Sequence, residues 1–392
     1  MEWKTATRLS VLSSSVTDQA SNIAKELQRA GTDVISLCDG EPKFDTPRNI
    51  KEAACKALDA GKTKYGPTGG IPELRNLICE KLAHDNGITA KAENVLVTPG
   101  GKFPVFLTFL TLLNPGDRVV LIDPSWVTYA EALKLSEGEA IRVALRDEDG
   151  FQPDLAELGR AVAGPRVKLV VVNSPCNPTG AVFSKSTLRE IARLAGRQGA
   201  LVLSDEIYEH LVYEGEHYSP GSEFDNIITV NGFSKPYAMT GWRIGYVTAP
   251  REIIEGMKKI CSHSVTCVPE FVQAGAVEAL SSKESERARD GMVEEYRDRR
   301  NVMMSKIQAS NYFDCVMPHG TIYAFPSFHW RGSSIEFSTM LLEKAHVATV
   351  PGIAFGEPGE GHVRMEYTPT GERILEAFER IEKALREEPR GT

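Results

Sequence analysis

The sequence predicts an α/β fold with a mostly parallel central sheet that helices cover on both faces. Short β-branched apolar runs recur along the chain, and stretches with helical spacing separate most of them. These runs are continuous rather than alternating in polarity, which is typical of strands buried on both faces. After residue 250 the pattern changes, and long charged helical stretches replace the strands. Together these observations predict a large α/β domain and a smaller α+β domain.

The predicted strands are runs rich in Val, Leu and Ile, at 95–97, 119–122, 169–172, 201–203, 227–230 and 244–247. Helical spacing at 102–113 and 185–198 lies between them, so most neighbouring strands should run parallel. The last two runs are close together with no helix between them, which favours one antiparallel strand. Residues 283–308 predict one long charged helix, and residues 370–386 predict an amphipathic helix.

The length of 392 residues exceeds that of an ordinary single domain. We predict a large cofactor-binding domain over residues 46–285. The small domain is predicted to combine residues 1–45 with residues 286–392, so that both chain ends meet in one unit.

Composition and charge exclude several classes of function. A formal net charge of −8 argues against nucleic acid as the main partner, because phosphate backbones select basic surfaces. The seven cysteines form no CxxC pair, which fits a reducing cytoplasm, and the eight histidines show no zinc-like spacing. The first residues lack the apolar core of a signal peptide, and the apolar stretch at 103–113 is too short to span a bilayer. We therefore expect a cytoplasmic protein with no metal and no membrane partner.

Polar motifs follow several of the predicted strands. They are TPGGK at 98–102, NSPCNPTG at 173–180, SDEIY at 204–208 and SK at 234–235. Ligands of open parallel sheets bind at the carboxyl ends of the strands, so these loops should share one space. That space would contain an amide, a carboxylate, a phenol, a lysine and a glycine-rich helix start.

This set of groups fits pyridoxal 5′-phosphate (PLP). PLP needs a lysine for its Schiff base, for which Lys235 is the candidate, and a carboxylate opposite its pyridine nitrogen, for which Asp205 is the candidate. Tyr208 and Asn177 can donate to its phenolic oxygen. The phosphate needs backbone N–H groups at a helix start, a hydroxyl and a guanidinium. Those groups are available from Gly100, Gly101, Lys102, Ser234 and Arg243.

The motifs NPTG at 177–180, SDEIYEHLVY at 204–213 and SKPYAMTGWRIGY at 234–246 resemble the signature of the class I aminotransferases of fold type I. This family is the aspartate aminotransferase superfamily. The likeness extends from CDGEPKFDTP at 38–47 to VPGIAFG at 350–356 and HVRMEY at 362–367. It implies a PLP-dependent exchange of an amino group between an L-amino acid and a 2-oxo acid.

The resemblance also implies a role for individual residues. Lys235 would bind the cofactor covalently and move a proton between Cα of the substrate and the cofactor. Asp205 would pair with the pyridinium nitrogen, while Tyr208 and Asn177 hold the phenolate oxygen. Trp126 would stack on the ring.

Other matching positions would bind the phosphate and the substrate. Gly101, Lys102, Ser234 and Arg243 match the phosphate site of the family. Tyr65 resembles a tyrosine that reaches the phosphate of a neighbouring subunit, which implies a homodimer with shared active sites. Arg364 matches the arginine that binds the substrate α-carboxylate, a bidentate task that suits a guanidinium. Gly40 and Asn177 would contact the same carboxylate.

The choice of substrate depends on the far end of the site. Lys102 and Thr17 match a lysine and a threonine that contact the distal carboxylate in bacterial and plant-type aspartate aminotransferases. A buried cation there favours aspartate and 2-oxoglutarate, since an apolar substrate would leave it unpaired. Relatives that accept prephenate carry a basic residue where this chain has Ser13 and Ser14, so prephenate is less favoured.

Departures from the family pattern keep other substrates open. Phe103 stands where relatives have Gln, and His263 and Val265 are unexpected for a plain aspartate enzyme. The alternatives are an aromatic, alanine or other transaminase, or a PLP-dependent β-lyase. A further alternative is a silent PLP-binding module fused to a DNA-binding domain. It is disfavoured, because the family's pattern begins almost at residue 1 and every cofactor residue is present.

Overall fold

The structure, a computed structural model, describes residues 3–13 and 16–387, and the side chains of Thr17 and Asp18 lie outside that description. The helices in chain order are α1 (Val16–Arg29), α2 (Arg48–Asp59), α3 (Pro72–Asp85), α4 (Lys102–Leu112), α5 (Thr128–Leu135), α6 (Leu155–Val162), α7 (Lys185–Arg197), α8 (Arg251–Ser264), α9 (Glu270–Ser281), α10 (Lys283–Ala309), α11 (Ser334–Met340) and α12 (Gly371–Glu387).

The strands in chain order are β1 (Ile35–Ser36), β2 (Val95–Thr98), β3 (Arg118–Asp123), β4 (Glu139–Ala144), β5 (Val167–Asn173), β6 (Leu201–Asp205), β7 (Ile227–Gly232), β8 (Gly245–Thr248), β9 (Phe313–Asp314), β10 (Tyr323–Ala324), β11 (Ser327–Phe328), β12 (Val347–Ala348), β13 (Val350–Pro351) and β14 (Val363–Glu366). The central sheet has seven strands in the order β2-β8-β7-β6-β5-β3-β4.

The central sheet confirms the predicted α/β class. Strand β8 is antiparallel to both of its neighbours, as the closeness of the last two apolar runs predicted, and the other pairs are parallel. The sequence reading missed the edge strand β4. Its residues Glu139, Ala140 and Arg142 are exposed, so β4 lacks the continuous apolar run that marks the buried strands.

The sheet separates two apolar cores, which explains the continuous apolar runs. In β3, Val120 and Ile122 enter one core while Val119 and Leu121 enter the other. Successive side chains of a strand point to opposite faces, so a strand covered on both faces needs apolar residues at every position.

A third core draws residues from both ends of the chain. Ile35 and Leu37 near the start pack with Met303 on α10 and with Ile374 and Phe378 on α12. The predicted long and amphipathic helices are present with their ends shifted by one residue, as α10 and α12. The domain limits at residues 45 and 285 stay a prediction. Each helix within the described ranges is too short or too polar to cross a bilayer.

Candidate active site

The carboxyl ends of the central strands open onto a cavity of about 620 Å³. Most residues that the sequence singled out lie in its wall: Gly40, Gly101, Lys102, Trp126, Asn177, Asp205, Tyr208, Ser234, Lys235, Arg243 and Arg364. These residues come from positions spread over the chain, and the strand ends bring them together as the parallel sheet predicts.

Other singled-out residues do not line this cavity. Tyr65 lies outside it, and 87% of its surface is exposed. The side chain of Thr17 falls outside the described residues, as does Ser14 entirely. His263 is exposed near the end of α8, while Phe103 and Val265 line an adjacent apolar cavity.

Asp205 ends β6 at the floor of the cavity and is almost completely buried. The hydroxyl of Tyr129 donates to its Oδ2 at 2.6 Å, and the backbone N–H of Ile207 donates to its Oδ1 at 3.3 Å. Burial raises the pKa of Asp205 to about 6, although the Tyr129 hydroxyl and the Ile207 amide lower it. A carboxylate held in this way is suited to pair with a cationic ring nitrogen, which would lower that pKa.

Tyr129 is a residue of this site that the sequence analysis did not predict. It lies on α5, three positions after Trp126, and its ring packs edge-on against the Trp126 ring with centroids 5.5 Å apart. A fully buried tyrosine usually finds a partner for its hydroxyl. The local sequence does not identify Asp205 as that partner. The two residues are 76 positions apart and come together only when α5 packs beside the end of β6.

Lys235 follows β7, and its Nζ donates to the carbonyl oxygen of Gly40 at 2.5 Å. The same Nζ lies 5.8 Å from the centroid of the Tyr208 ring. Tyr208 shares a hydrogen bond of 2.9 Å with Tyr323, and burial raises the pKa of Tyr208 well above its usual value. The lysine amine therefore lies beside the Tyr208 ring and a backbone carbonyl. Tyr323 was also missed by the sequence reading.

Backbone and side-chain donors meet where α4 begins. Gly100 precedes the helix with φ +74°, and a Cβ there would lie 2.6 Å from the guanidinium of Arg243. A Cβ on Gly245 would lie 2.8 Å from the Gly100 carbonyl carbon, so the close approach of these two backbone segments requires glycine at both positions. Ser234 is buried beside them. The start of a helix with a nearby guanidinium and hydroxyl is suited to bind an anion such as a phosphate.

Arg364 is buried on β14 and lines the same cavity. Its NH1 donates to Oδ1 of Asn177 at 3.1 Å, and its NH2 donates to the carbonyl oxygen of Cys38 at 3.0 Å. Its Nε has no hydrogen-bond partner, and none of the described carboxylates forms an ion pair with it. A buried cation with only neutral partners is costly, so this part of the cavity favours binding of a carboxylate.

Lys102 is exposed at the cavity mouth, with its Nζ 5.3 Å from the centroid of a Trp126 ring. An adjacent cavity of about 540 Å³ shares Lys102 with the first cavity and is lined largely by apolar side chains. Phe103, Phe106 and Val265 are among them. The two cavities place a cation next to an apolar surface, so both acidic and apolar side chains have a candidate place.

A second polar group lies behind Asp205. The ligand atoms of Glu206, Glu209 and His217 lie within 4.8 Å of one another, a spacing that could hold a metal ion. However, the amine of Lys81 already forms an ion pair with Glu209, and Asn86 donates to both carboxylates. Both carboxylates are thus already occupied by protein donors, so we assign no metal to this group.

Comparison with known proteins agrees with this geometry. A family profile described as aminotransferase class I and II matches residues 32–381. The aspartate aminotransferase of Pyrococcus horikoshii is 44% identical over 370 residues, which cover 93% of this chain and 94% of that protein. The aspartate/prephenate aminotransferase of Thermus thermophilus is 42% identical over 381 residues, which cover 96% and 98%.

The fold is also that of a solved relative. The structure of aspartate aminotransferase from Thermus thermophilus with maleate superposes with a TM-score of 0.94 at 41% identity, covering 98% of this chain and 100% of that one. The resemblance read from the motifs and the fold type I assignment are thereby confirmed. The chain belongs to the family of class I and II aminotransferases.

Proposed function

We propose that the protein is a PLP-dependent aminotransferase that exchanges the amino group of L-aspartate with a 2-oxo acid such as 2-oxoglutarate. The observation that carries the proposal is the spacing of charges in one cavity. The amine of Lys235 shares the cavity with a buried carboxylate, Asp205, and with a buried guanidinium, Arg364, whose Nε has no hydrogen-bond partner. This arrangement suits a cationic ring beside Asp205 and a substrate carboxylate beside Arg364.

The described residues fit PLP at each of its functional groups. Asp205 offers a carboxylate whose pKa of about 6 would fall beside a pyridinium nitrogen. Gly100, Ser234 and Arg243 form the anion site at the start of α4, as a phosphate requires. When bound, PLP supplies an electron-withdrawing ring that stabilises negative charge at Cα of the amino acid.

Lys235 is the residue that we assign to proton transfer at Cα of the substrate. Its Nζ is held at the Gly40 carbonyl and faces the cavity beside the Tyr208 ring. An amine in hydrogen-bond reach of the substrate Cα can act as the general base and return the proton as the general acid. The neutral hydroxyl of Tyr208 would donate to the phenolic oxygen of the ring.

Arg364 would bind the substrate α-carboxylate, and Trp126 would cover the ring face. Asn177 already accepts from NH1 of Arg364, which fixes the plane of the guanidinium. A fixed guanidinium plane orients a carboxylate through two parallel hydrogen bonds. Binding at this point holds Cα near Lys235, so orientation rather than new chemistry is the contribution of Arg364.

Lys102 supports aspartate as the preferred substrate. Its charge lies in the wall of the same cavity as Arg364, beside the Trp126 ring, where it would pair with the second carboxylate of aspartate. Relatives at 42% and 44% identity carry names that include aspartate. Thr17 keeps its proposed role at the same carboxylate, although its side chain is outside the described residues. Acceptance of prephenate stays unfavoured, on the grounds of Ser13 and Ser14.

We also propose a homodimer in which Tyr65 reaches the phosphate site of the second copy. The support is the exposure of this aromatic side chain, 87% of whose surface is free of contacts within its own chain. The cytoplasmic location stays a prediction from the cysteine pattern.

A second candidate activity, transamination of aromatic amino acids, is favoured by the apolar cavity beside Lys102. Phe103, Phe106 and Val265 line this cavity, and it is large enough for an aromatic ring. An aromatic substrate would place its side chain there while Arg364 holds its α-carboxylate.

The test is the visible spectrum of the PLP-loaded protein before and after addition of L-aspartate without an oxo acid. Conversion of the lysine-bound cofactor to its amino form would support the proposal, and L-phenylalanine in a parallel sample measures the second candidate. Lys102→Gln should slow the reaction of aspartate about tenfold relative to that of alanine. Lys185→Gln, on α7 and outside both cavities, is the matched control. A spectrum that no amino acid changes would contradict the transaminase assignment.

A further inference from the structure

Glu366 is a fully buried carboxyl group that has no role in the function proposed above. It lies on β14 two residues after Arg364, so both side chains leave the same face of the strand. The backbone N–H of Gly40 donates to its Oε2 at 2.5 Å, while its Oε1 has no hydrogen-bond partner. A buried polar atom without a partner is rare and calls for a physical explanation.

Gly40 belongs to the loop of residues 38–43, which contributes to the cavity wall and contacts β14. Its carbonyl accepts from Lys235, and its N–H is held by Glu366. A Cβ on Gly40 would lie 3.4 Å from NH2 of Arg364 and 3.1 Å from the Tyr323 hydroxyl. The backbone of Gly40 is therefore held beside the guanidinium at two points, its N–H by Glu366 and its carbonyl oxygen by Lys235.

We propose that Glu366 is a positioning residue: it holds the Gly40 peptide beside Arg364, and its protonation is coupled to binding of the substrate α-carboxylate. This inference rests on the proposed function, because it assumes that Arg364 receives that carboxylate. Glu366 does not line the cavity, so it acts through Gly40 and through its charge rather than by touching the substrate.

Charged and titratable groups surround Glu366 on every side. They are Cys38, Asp39 and Lys43 from the 38–43 loop, Tyr296 from α10, Tyr323 from β10 and Arg364 from β14 itself. The pKa of Glu366 is raised to about 7, chiefly by burial and also by the charge of Asp39, with Lys43 and Arg364 opposing the rise. The carboxyl group therefore changes charge near neutral pH.

The direction of the coupling follows from the charge on Arg364. A substrate carboxylate bound to Arg364 cancels part of the positive charge that favours the ionised form of Glu366. Binding therefore favours the protonated form, and by reciprocity the protonated form binds the carboxylate more tightly. Affinity for the substrate should be highest below the pKa of about 7 and should fall as the pH rises through it.

Two substitutions at this position separate the hydrogen bond from the charge. Glu366→Gln keeps an acceptor for the Gly40 N–H and removes the titration, so it imitates the protonated form at every pH. Glu366→Leu removes both, and it leaves the Gly40 N–H without a partner, which should raise KM about tenfold at all pH values. The kcat values of both variants should stay within about twofold, because neither change touches the reacting atoms.

The experiment measures kcat and KM for L-aspartate from pH 6 to 9 with the PLP-loaded wild type and each variant. The ratio of kcat/KM for Glu366→Gln to that of the wild type cancels every titration that the two enzymes share. We expect this ratio to rise about tenfold through pH 7, since one pKa unit corresponds to a factor of ten. A flat ratio would overturn the coupling, and an unchanged KM in Glu366→Leu would overturn the positioning role.

Lys43→Gln is the matched control, because Lys43 is outside the cavity wall and its charge lowers the pKa of Glu366. Its removal should move the midpoint of the wild-type profile to higher pH. A shift to lower pH would contradict the assignment of the midpoint to Glu366.

A spectroscopic measurement keeps the inference testable if the variants fail to fold. Wild-type holoenzyme labelled with [δ-¹³C]glutamate should show one carboxyl resonance with a midpoint near pH 7, and added succinate should raise that midpoint. Absence of such a resonance, or a midpoint that succinate leaves in place, would overturn the inference. Failure of the wild type to turn over aspartate would instead contradict the proposed function, so the two failures are distinguishable.

Discussion

Asp205 and Arg364 are two buried charged groups of the same cavity, and they differ in how fully their polar atoms are paired. Asp205 is a buried carboxylate whose two oxygens both receive donors, from Tyr129 and from the Ile207 amide. Arg364 is a buried cation that has only neutral partners and an Nε with none. We therefore expect Asp205 to hold a cofactor that remains bound. Arg364 keeps hydrogen-bonding capacity for a substrate that binds and dissociates.

A third buried carboxyl group shows why burial alone does not decide the charge. Burial raises the pKa of Asp205 to about 6 and that of Glu366 to about 7. Glu209 is as deeply buried, yet the ion pair with Lys81 holds its pKa well below the usual range. A direct charge partner therefore determines the sign of the shift, and the two groups near the cavity lack such a partner within the described residues.

The largest expected effect is at Lys235, which lines the same cavity. Lys235→Ala should lower turnover of L-aspartate by a factor on the order of 10⁴, because Lys235 is the residue to which we assign transfer of the Cα proton. The measurement is kcat with PLP in excess. Turnover near that of the wild type would refute the role of Lys235, and Lys185→Ala serves as a control for the loss of a surface lysine.

Substitution of Arg364 tests whether this guanidinium binds the α-carboxylate. Arg364→Leu should lower kcat/KM by about 10² to 10³, as loss of one partner of a buried charge pair costs about 2–5 kcal/mol. The loss should be equal for aspartate, alanine and phenylalanine, because all three share the α-carboxylate. A loss confined to aspartate would instead place Arg364 at the distal carboxylate.

Substitution of Asp205 measures how much a buried carboxylate destabilises the protein when no cofactor is bound. The folded pKa of about 6 lies above the ordinary value of 3.8 for an aspartic acid, so ionisation of Asp205 disfavours the folded state. This penalty is absent below pH 4 and complete above pH 6. Asp205→Asn should therefore stabilise the cofactor-free protein by up to about 3 kcal/mol at pH 8 and by nothing at pH 4.

Urea unfolding of both proteins at the two pH values measures this difference. Adding PLP should reverse the order at pH 8, because the cofactor stabilises the protein that binds it more tightly. An unchanged order with PLP would show that Asp205 does not pair with the ring.

The smallest expected effect is at Tyr129, which holds Asp205 in place. Tyr129→Phe removes one hydrogen bond to the carboxylate and should weaken PLP binding about tenfold, which corresponds to about 1.4 kcal/mol. The midpoint of the Asp205 titration should rise in the cofactor-free variant, since the lost donor favoured the ionised form. Tyr218→Phe, on the far side of the sheet, is a matched control, and equal losses in both variants would contradict the role of Tyr129.

The sequence alone determined the class of fold and the polar motifs that meet in the cavity wall. Continuous apolar runs with helices between them identify buried parallel strands, and motifs at strand ends must then meet at one edge of the sheet. The edge strand β4 was not predicted, because an exposed edge strand does not need a continuous apolar run. The structure places Asp205 at the end of β6 and Lys235 shortly after β7, as the motifs predicted, while their roles stay predictions.

Only the tertiary structure decided which side chains support these residues. Tyr129 reaches Asp205 across 76 positions, Tyr208 meets Tyr323 across 115, and Gly40 meets Glu366 across 326. No local pattern encodes such pairs, because each depends on how separate elements pack and on which oxygen or N–H group is left without a partner when water is excluded. The motifs therefore identify the groups that carry the chemistry, and the packing determines their charge and orientation.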